Sequence, residues 1–108
     1  ITDRIGNEIE KNVNKAFIDT EKLVYPLRLR HWQQGDRFMP LGMSGFKKVS
    51  DFLINQKVPL PLKARVLLLV NGNGEIIWIT GMRADNRYKV TSTTEKVTIF
   101  ELNSRMTP

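Results

Sequence analysis

The rhythm of apolar and polar residues changes several times along this chain, and each change marks an element. Val66-Leu67-Leu68-Leu69-Val70 and Ile76-Ile77-Trp78-Ile79 are apolar without alternation on either side of Asn71-Gly72-Asn73-Gly74. Two short apolar runs around an Asn/Gly turn predict a β-hairpin, because those residues tolerate positive φ. Arms that are apolar throughout imply burial on both faces. An antiparallel hairpin covered on each side requires at least three layers, or a sandwich. Tyr25 to Trp32 alternates instead, which predicts a half-buried strand with Leu27 and Leu29 inward and Arg28 and Arg30 outward.

The remaining pattern fills in around that hairpin. Val13 to Ile18 suits a strand. Asp19 then suits the cap of a single helical turn through Leu23, since its carboxylate can accept the free N–H groups there. Val49 to Lys57 reads as one short helix, with Ser50 as N-cap and Val49 and Ile54 as a hydrophobic staple across it. Phe52 and Leu53 supply its buried face, and Pro59 and Pro61 end it. Tyr88 to Ser92 and Lys96 to Leu102 return to alternation, as outer strands joined at Thr93-Thr94-Glu95. In the second of these, Val97, Ile99 and Glu101 oppose Thr98, Phe100 and Leu102. Residues 1–12 are polar without a stable period and read as a linker or edge segment, which leaves 13–106 as the domain proper. The expected fold is α+β and mainly β: a small layered, β-sandwich-like domain with a central hairpin and one short helix.

Composition narrows the class. A chain of 108 residues, 41% hydrophobic and 26% charged, is one globular domain. No apolar run reaches the ~18 residues of a membrane span, and the N-terminus carries no signal-peptide core. The absence of cysteine excludes disulfides and thiolate metal sites, and is compatible with the cytoplasm. His31 is the single histidine, so a multi-His metal site cannot form within the chain. The first residue is Ile1 rather than Met, as expected for a piece of a longer polypeptide.

Charge changes the picture more. Residues 28–65 hold eight Lys/Arg against Asp36 and Asp51, so the whole net charge of +6 sits in one third of the chain. A localised positive field points to a polyanionic partner, RNA or DNA first. Gly42-Met43-Ser44-Gly45-Phe46-Lys47-Lys48 precedes the expected helix start, where cations are slightly unfavourable. A phosphate would relieve that cost; a solvated loop would carry the same residues. Arg30, Arg37, Lys47, Lys48, Arg83 and Arg87 are the expected RNA-binding residues, since they lie in loops or on a polar strand face and flank a helix start.

Other chemistry is sparse. Asp36, between Gly35 and Arg37, reads as a turn-holding carboxylate before a catalytic one. Asp85 has Arg83 and Arg87 at hand, which favours a structural ion pair or a loop contact. His31 beside Trp32 could serve as a base and a stacking platform, or as an ordinary surface residue. Trp32 and Phe38 could stack on bases or close a core. There is no Gly-x-x-x-x-Gly-Lys, no Ser-Gly-Gly-x-Asp-Ser, no Ser/His/Asp set and no carboxylate pair. A stand-alone hydrolase or nuclease is therefore disfavoured.

Taken in order, Arg30-x-Trp32-x-x-Gly35-Asp36-Arg37-Phe38-x-Pro40-x-Gly42, Lys47-Lys48-Val49-Ser50-Asp51-Phe52, Lys57-Val58-Pro59 and Ile77-Trp78-Ile79-x-Gly81-x-Arg83-x-Asp85-x-Arg87 resemble the C-terminal domain of tRNA(Ile)-lysidine synthetases. Ala16-Phe17-Ile18-Asp19 followed by Pro26-Leu27 is similar to the opening of that domain, so the match covers about residues 13–102. The resemblance implies a parent ligase of the bacterial cytoplasm. That enzyme uses ATP with magnesium to adenylate the wobble cytidine of an isoleucine tRNA with a CAU anticodon. Free L-lysine then displaces AMP. It also implies that catalysis belongs to an N-terminal domain with a Ser-Gly-Gly-x-Asp-Ser loop, while this domain binds the tRNA acceptor stem without a cofactor of its own. A related layered fold is implied in the β subunit of phenylalanyl-tRNA synthetase. Leu60-Pro61-Leu62-Lys63-Ala64-Arg65 is more proline-rich than the family pattern, so Lys63 and Arg65 stay outside the expected contacts. The competing expectation is a module that packs on the catalytic domain or forms a homodimer. Neither reading involves a membrane.

The missing phosphate loop carries a direct consequence. The purified 108-residue chain should neither hydrolyse ATP nor incorporate labelled lysine into tRNA, and ATP-dependent incorporation by this chain alone would refute the reading.

Overall fold

Among the described residues nine strands and two short helices build the domain, and the apolar hairpin is its middle layer. The computed structural model describes Thr2–Asp3 and residues 14–102. The strands are β1 (Thr2–Asp3), β2 (Lys15–Asp19), β3 (Arg28–His31), β4 (Arg37–Phe38), β5 (Lys47–Lys48), β6 (Leu67–Val70), β7 (Ile76–Ile79), β8 (Arg83–Ala84) and β9 (Lys96–Glu101). The helices are α1 (Val49–Asn55) and α2 (Leu60–Lys63). They form a four-stranded sheet in the order β3-β6-β7-β8, a three-stranded sheet β1-β9-β2, and a two-stranded ribbon β4-β5. Beyond Thr2–Asp3, which pair with β9, the expected linker lies outside the described residues, as do Val13 and residues 103–106.

The expected hairpin is β6–β7, and both its faces are buried. Register slips between Leu69 and Val70: Leu69 pairs with Trp78 but Val70 with Ile76. The extra residue turns Ile77 to the same side as Trp78, a bulge effect. Ile77, Trp78 and Leu69 therefore pack with Ala16, Ile18 and Tyr88 under the three-stranded sheet. Leu68, Val70, Ile76 and Ile79 pack with Phe38, Val49, Phe52, Leu53 and Val66 under α1 and the ribbon. The layers are thus sheet, sheet, and helix with ribbon, as the double-sided burial required.

The turn works differently from expectation. Positive φ falls on Gly74 alone (91°), not on the asparagines. Gly72 is needed for close approach: its N–H donates to the Val24 carbonyl at 2.6 Å, and a Cβ there would come within 2.4 Å of that oxygen. Asn71 acts through its side chain. Its Oδ1 accepts from Val24 N–H at 2.7 Å, and its Nδ2 donates to the Tyr88 hydroxyl at 2.8 Å.

Asp19 caps the expected turn, which is a 3₁₀ turn over Thr20–Lys22, by accepting from Glu21 N–H. Six other expectations are corrected. The strand after Tyr25 is shorter, Arg28–His31, because Pro26 supplies no amide donor. Within it Leu29 is 63% exposed rather than inward, since β3 is an edge strand and the cover over Leu27 and Leu69 does not extend to it. Helix α1 begins at Val49 with Lys48 at the cap position and no side-chain cap, so Ser50 is not the N-cap. The staple is likewise absent, as Ile54 is 61% exposed. Pro59 and Pro61 do not merely end a helix. They open α2, where a proline in the first turn loses no helical hydrogen bond, so there are two short helices. Finally, Tyr88 to Ser92 forms no strand. Asn86–Tyr88 is a 3₁₀ turn, Tyr88 is drawn into the core, and β9 pairs with β2 and β1 instead.

Trp78 fills the space between the two sheets. Trp78→Ala should destabilise the domain by about 3–5 kcal/mol, the range for large-to-small core changes. An unchanged melting temperature would refute the layered packing.

Candidate nucleic-acid interface

Six basic residues were expected to act together, and the fold separates them by face and by partner. Arg37 lies directly opposite Lys48 in the β4–β5 ribbon, and Phe38 opposite Lys47. Side chains alternate along a strand, so Arg37 and Lys48 share one face and Phe38 and Lys47 the other. Phe38 is buried edge-on against Phe52 with ring centres 5.1 Å apart, which fixes the inner face. Lys47 is half-buried there, while Arg37 and Lys48 are exposed. No carboxylate of the described residues pairs with Arg37, Lys47 or Lys48. Like charges directly opposite in a sheet repel one another, and an anion between them would relieve that repulsion. At the ribbon's end Val49 N–H already donates to the Asp36 carbonyl at 2.9 Å, so one donor of the helix start is occupied.

Arg30 is held from two sides. Its Nη1 and Nη2 donate to Asp36 Oδ2 and Oδ1 at 2.9 and 3.0 Å. Asp36 also accepts from Gln33 N–H at 2.7 Å, which makes it the turn-holding residue. Burial pulls the Asp36 carboxyl up, but the Arg30 hydrogen bonds, the Gln33 amide and the Arg30 charge together hold it below the usual range. The same bonds to Asp36 raise the Arg30 guanidinium.

Arg87 is bound more firmly still. Its Nε and Nη2 donate to the two oxygens of Asp85 at 3.0 and 2.9 Å, and its Nη1 lies 2.9 Å from Glu75 Oε2. These contacts raise its pKa, with the Asp85 bonds foremost. Its guanidinium also covers the Phe46 ring at 4.8 Å. Arg83 is not the partner of Asp85; it lies 5.8 Å from the Phe52 ring centre, on the sheet face packed by α1. Asp85 itself is fully buried and accepts from Met39 N–H at 2.9 Å, which ties the loop after β4 to the turn after β8. The pattern Arg83-x-Asp85-x-Arg87 signalled an ion pair; the long-range bond to Met39 had no local signal.

Glu75 extends this network to Tyr88, whose hydroxyl donates to Glu75 Oε1 at 2.6 Å. Burial and then that bond push the tyrosine pKa up. The aromatic candidates divide. Phe38 is wholly core, and Trp32 packs at the core edge with its indole N–H on the Lys63 carbonyl at 2.8 Å. Lys63 Nζ lies over the Trp32 ring at 5.4 Å. Neither ring is free for a base. Phe46, which the sequence reading passed over, is the exposed aromatic ring beside the cations.

Among the described residues no His/Cys/Asp/Glu group could hold a metal, and no helix is long and apolar enough to cross a membrane. Asp36 and Asp85 are both engaged by arginines.

A layered β domain bearing a cationic two-stranded ribbon is thus the class of object defined here. Residues 27–100 match the family described as the TilS substrate C-terminal domain, and the chain belongs to that family. The tRNA(Ile)-lysidine synthase of Parabacteroides distasonis is 44% identical over 91 residues, 84% of this chain and 20% of that protein. That of Bacteroides thetaiotaomicron is 38% identical over 94 residues, 87% of this chain and 22% of that protein. The chain therefore spans about a fifth of the length of these curated relatives. A crystal structure titled as a TilS C-terminal domain superposes with a TM-score of 0.74 at 21% identity, covering 93% of this chain and 79% of that one. An N-terminal fragment of the phenylalanyl-tRNA synthetase β-subunit from Pyrococcus horikoshii gives 0.64 at 18% identity, covering 79% and 26%. Both likenesses concern the fold.

The lowered Asp36 pKa fixes a pH dependence. A folded-state value below the ordinary aspartate value of about 3.9 means that the pair's contribution is complete above about pH 4. It is lost as pH falls through the lowered folded value. Asp36→Asn should remove this loss, so its melting temperature should fall less than wild type's between about pH 5 and pH 3. Parallel decline of the two proteins would refute the assignment.

Proposed function

We propose that this chain is the tRNA-gripping domain of a tRNA(Ile)-lysidine synthase and that it holds the acceptor stem of isoleucine tRNA. The observation that carries the reading is the exposed Arg37–Lys48 pair, two cations facing each other across a ribbon with no carboxylate among the described residues to answer them. A-form RNA hides its base edges in a narrow major groove, so a small domain meets it through phosphates and the minor groove. Fixed cations on a rigid ribbon suit that task. Lys47 and Arg83 can add to the field from the opposite face, while Arg30 and Arg87 act first as supports for the loops. Lysine, ATP and magnesium would then act on the remaining four fifths of the cytoplasmic parent enzyme, through a catalytic domain in the same polypeptide.

A second reading has its own support. Ile54, Leu60 and Leu62 are exposed on α1 and α2, at 61%, 80% and 52%. Such apolar side chains suit packing on the catalytic domain or on a second copy.

Salt dependence separates the two. If about two to four phosphates are neutralised, the log–log slope of tRNA binding should lie near −2 to −4. Arg37→Ala with Lys48→Ala should flatten that slope by about one to two units without altering the fold. Titration of both proteins with isoleucine tRNA at several salt concentrations makes the measurement. Identical affinity and slope would shift the assignment to the packing role.

A further inference from the structure

Phe46 is 56% exposed, yet its ring has a fixed neighbour. Arg87 lies over one face of its ring at 4.8 Å. That guanidinium is itself fixed by three contacts of 2.9–3.0 Å to Asp85 and Glu75. Arg87 therefore has little freedom left to swing out toward a phosphate. What it does is brace an aromatic ring whose other side meets solvent.

The surroundings indicate what that ring is for. Residues 37–48 contain Arg37, Lys47 and Lys48 and no acidic residue. Leu41 and Met43 are exposed in the same loop. Phe46 immediately precedes β5, two residues before Lys48, and like Arg37 and Lys48 it is exposed. A surface that interleaves unpaired cations with a pre-oriented aromatic ring complements a polyanion that carries flat rings. An acidic protein would satisfy the cations but leave the ring uncovered.

We propose that Phe46, braced by Arg87, is a stacking platform for an unpaired base of the RNA strand whose phosphates meet Arg37 and Lys48. The proposal rests on the nucleic-acid reading above and adds a preference for the junction between duplex and single strand. Stacking of a base on an aromatic ring tolerates any sequence. A brace that fixes the rotamer beforehand lowers the ordering cost of binding.

The probes are an RNA hairpin with a four-nucleotide 3′ overhang, carrying 2-aminopurine at its first unpaired position, and the same hairpin with a blunt end. Wild type should bind the overhang form roughly 5- to 100-fold more tightly than the blunt form and quench the 2-aminopurine. Phe46→Leu keeps an apolar side chain in the loop but has no π face. It should abolish the preference and the quenching while keeping the salt slope. Phe46→Trp should retain all three. If Phe46→Leu keeps the overhang preference and the quenching, stacking is overturned and the ribbon reading stands. If wild type binds neither RNA, both fall together.

Discussion

A carboxylate sealed from solvent must have its charge answered by the protein, and Asp85 shows how much of this domain is arranged to do so. It is fully buried and accepts four hydrogen bonds, from Met39 N–H, from Arg87 N–H, and from Arg87 Nε and Nη2. Its own N–H donates to the Ile77 carbonyl at 2.7 Å. One residue thus fastens the loop after β4, the central strand β7 and the 3₁₀ turn at Asn86–Tyr88 to a single point. Leu41 N–H on the Ala84 carbonyl and Asn86 N–H on the Met39 carbonyl complete the seam. Removing the guanidinium would leave a buried charge unpaired, which costs far more than the pair itself contributes. The ribbon that displays Arg37 and Lys48 inherits its position from this seam.

Seen this way, the arginines divide into two kinds. Arg30 and Arg87 each sit in a fork-to-carboxylate arrangement that lysine could not reproduce. Their role is to hold loops, and Arg87 passes that rigidity on to Phe46. Arg37 and Lys48 have no such partner among the described residues, and like charges so placed repel one another. A fold that answers every buried side-chain polar atom among its described residues, yet leaves two cations facing each other on an outer ribbon, has placed its unsatisfied electrostatics on the surface.

How much of this was legible in the sequence depends on range. The apolar runs around Asn71–Gly74 forced a doubly covered hairpin, and that followed from composition alone. Asp19 as a cap and Asp36 as a turn residue were legible because their partners lie within three residues. Long-range terms were not. Asn71 bonding to Val24, and Asp85 to Met39, join residues 47 and 46 positions apart. No local pattern encodes them. Tyr88 shows the consequence: alternation argued for a strand, but its hydroxyl finds Glu75 and Asn71, and the segment turns inward instead. Leu29 failed for a related reason, since alternation specifies a face but not whether the layer above reaches the sheet edge.

The charge reading met the same limit. Clustering in sequence located the basic third of the chain, and counting could go no further. Adjacent lysines 47 and 48 looked like a unit, but a strand sends neighbours to opposite faces, so Lys48 is paired in space with Arg37 instead. Arg83 and Arg87 looked equivalent, yet one packs beside Phe52 and the other is clamped by two carboxylates. What distinguishes a ligand-facing cation from a structural one here is the presence of a carboxylate within reach. That is a property of the fold. The same test brings forward Phe46, a ring unremarkable in the sequence, because a structural arginine is built against it and its own segment, residues 37–48, carries Arg37, Lys47 and Lys48 without an acidic residue.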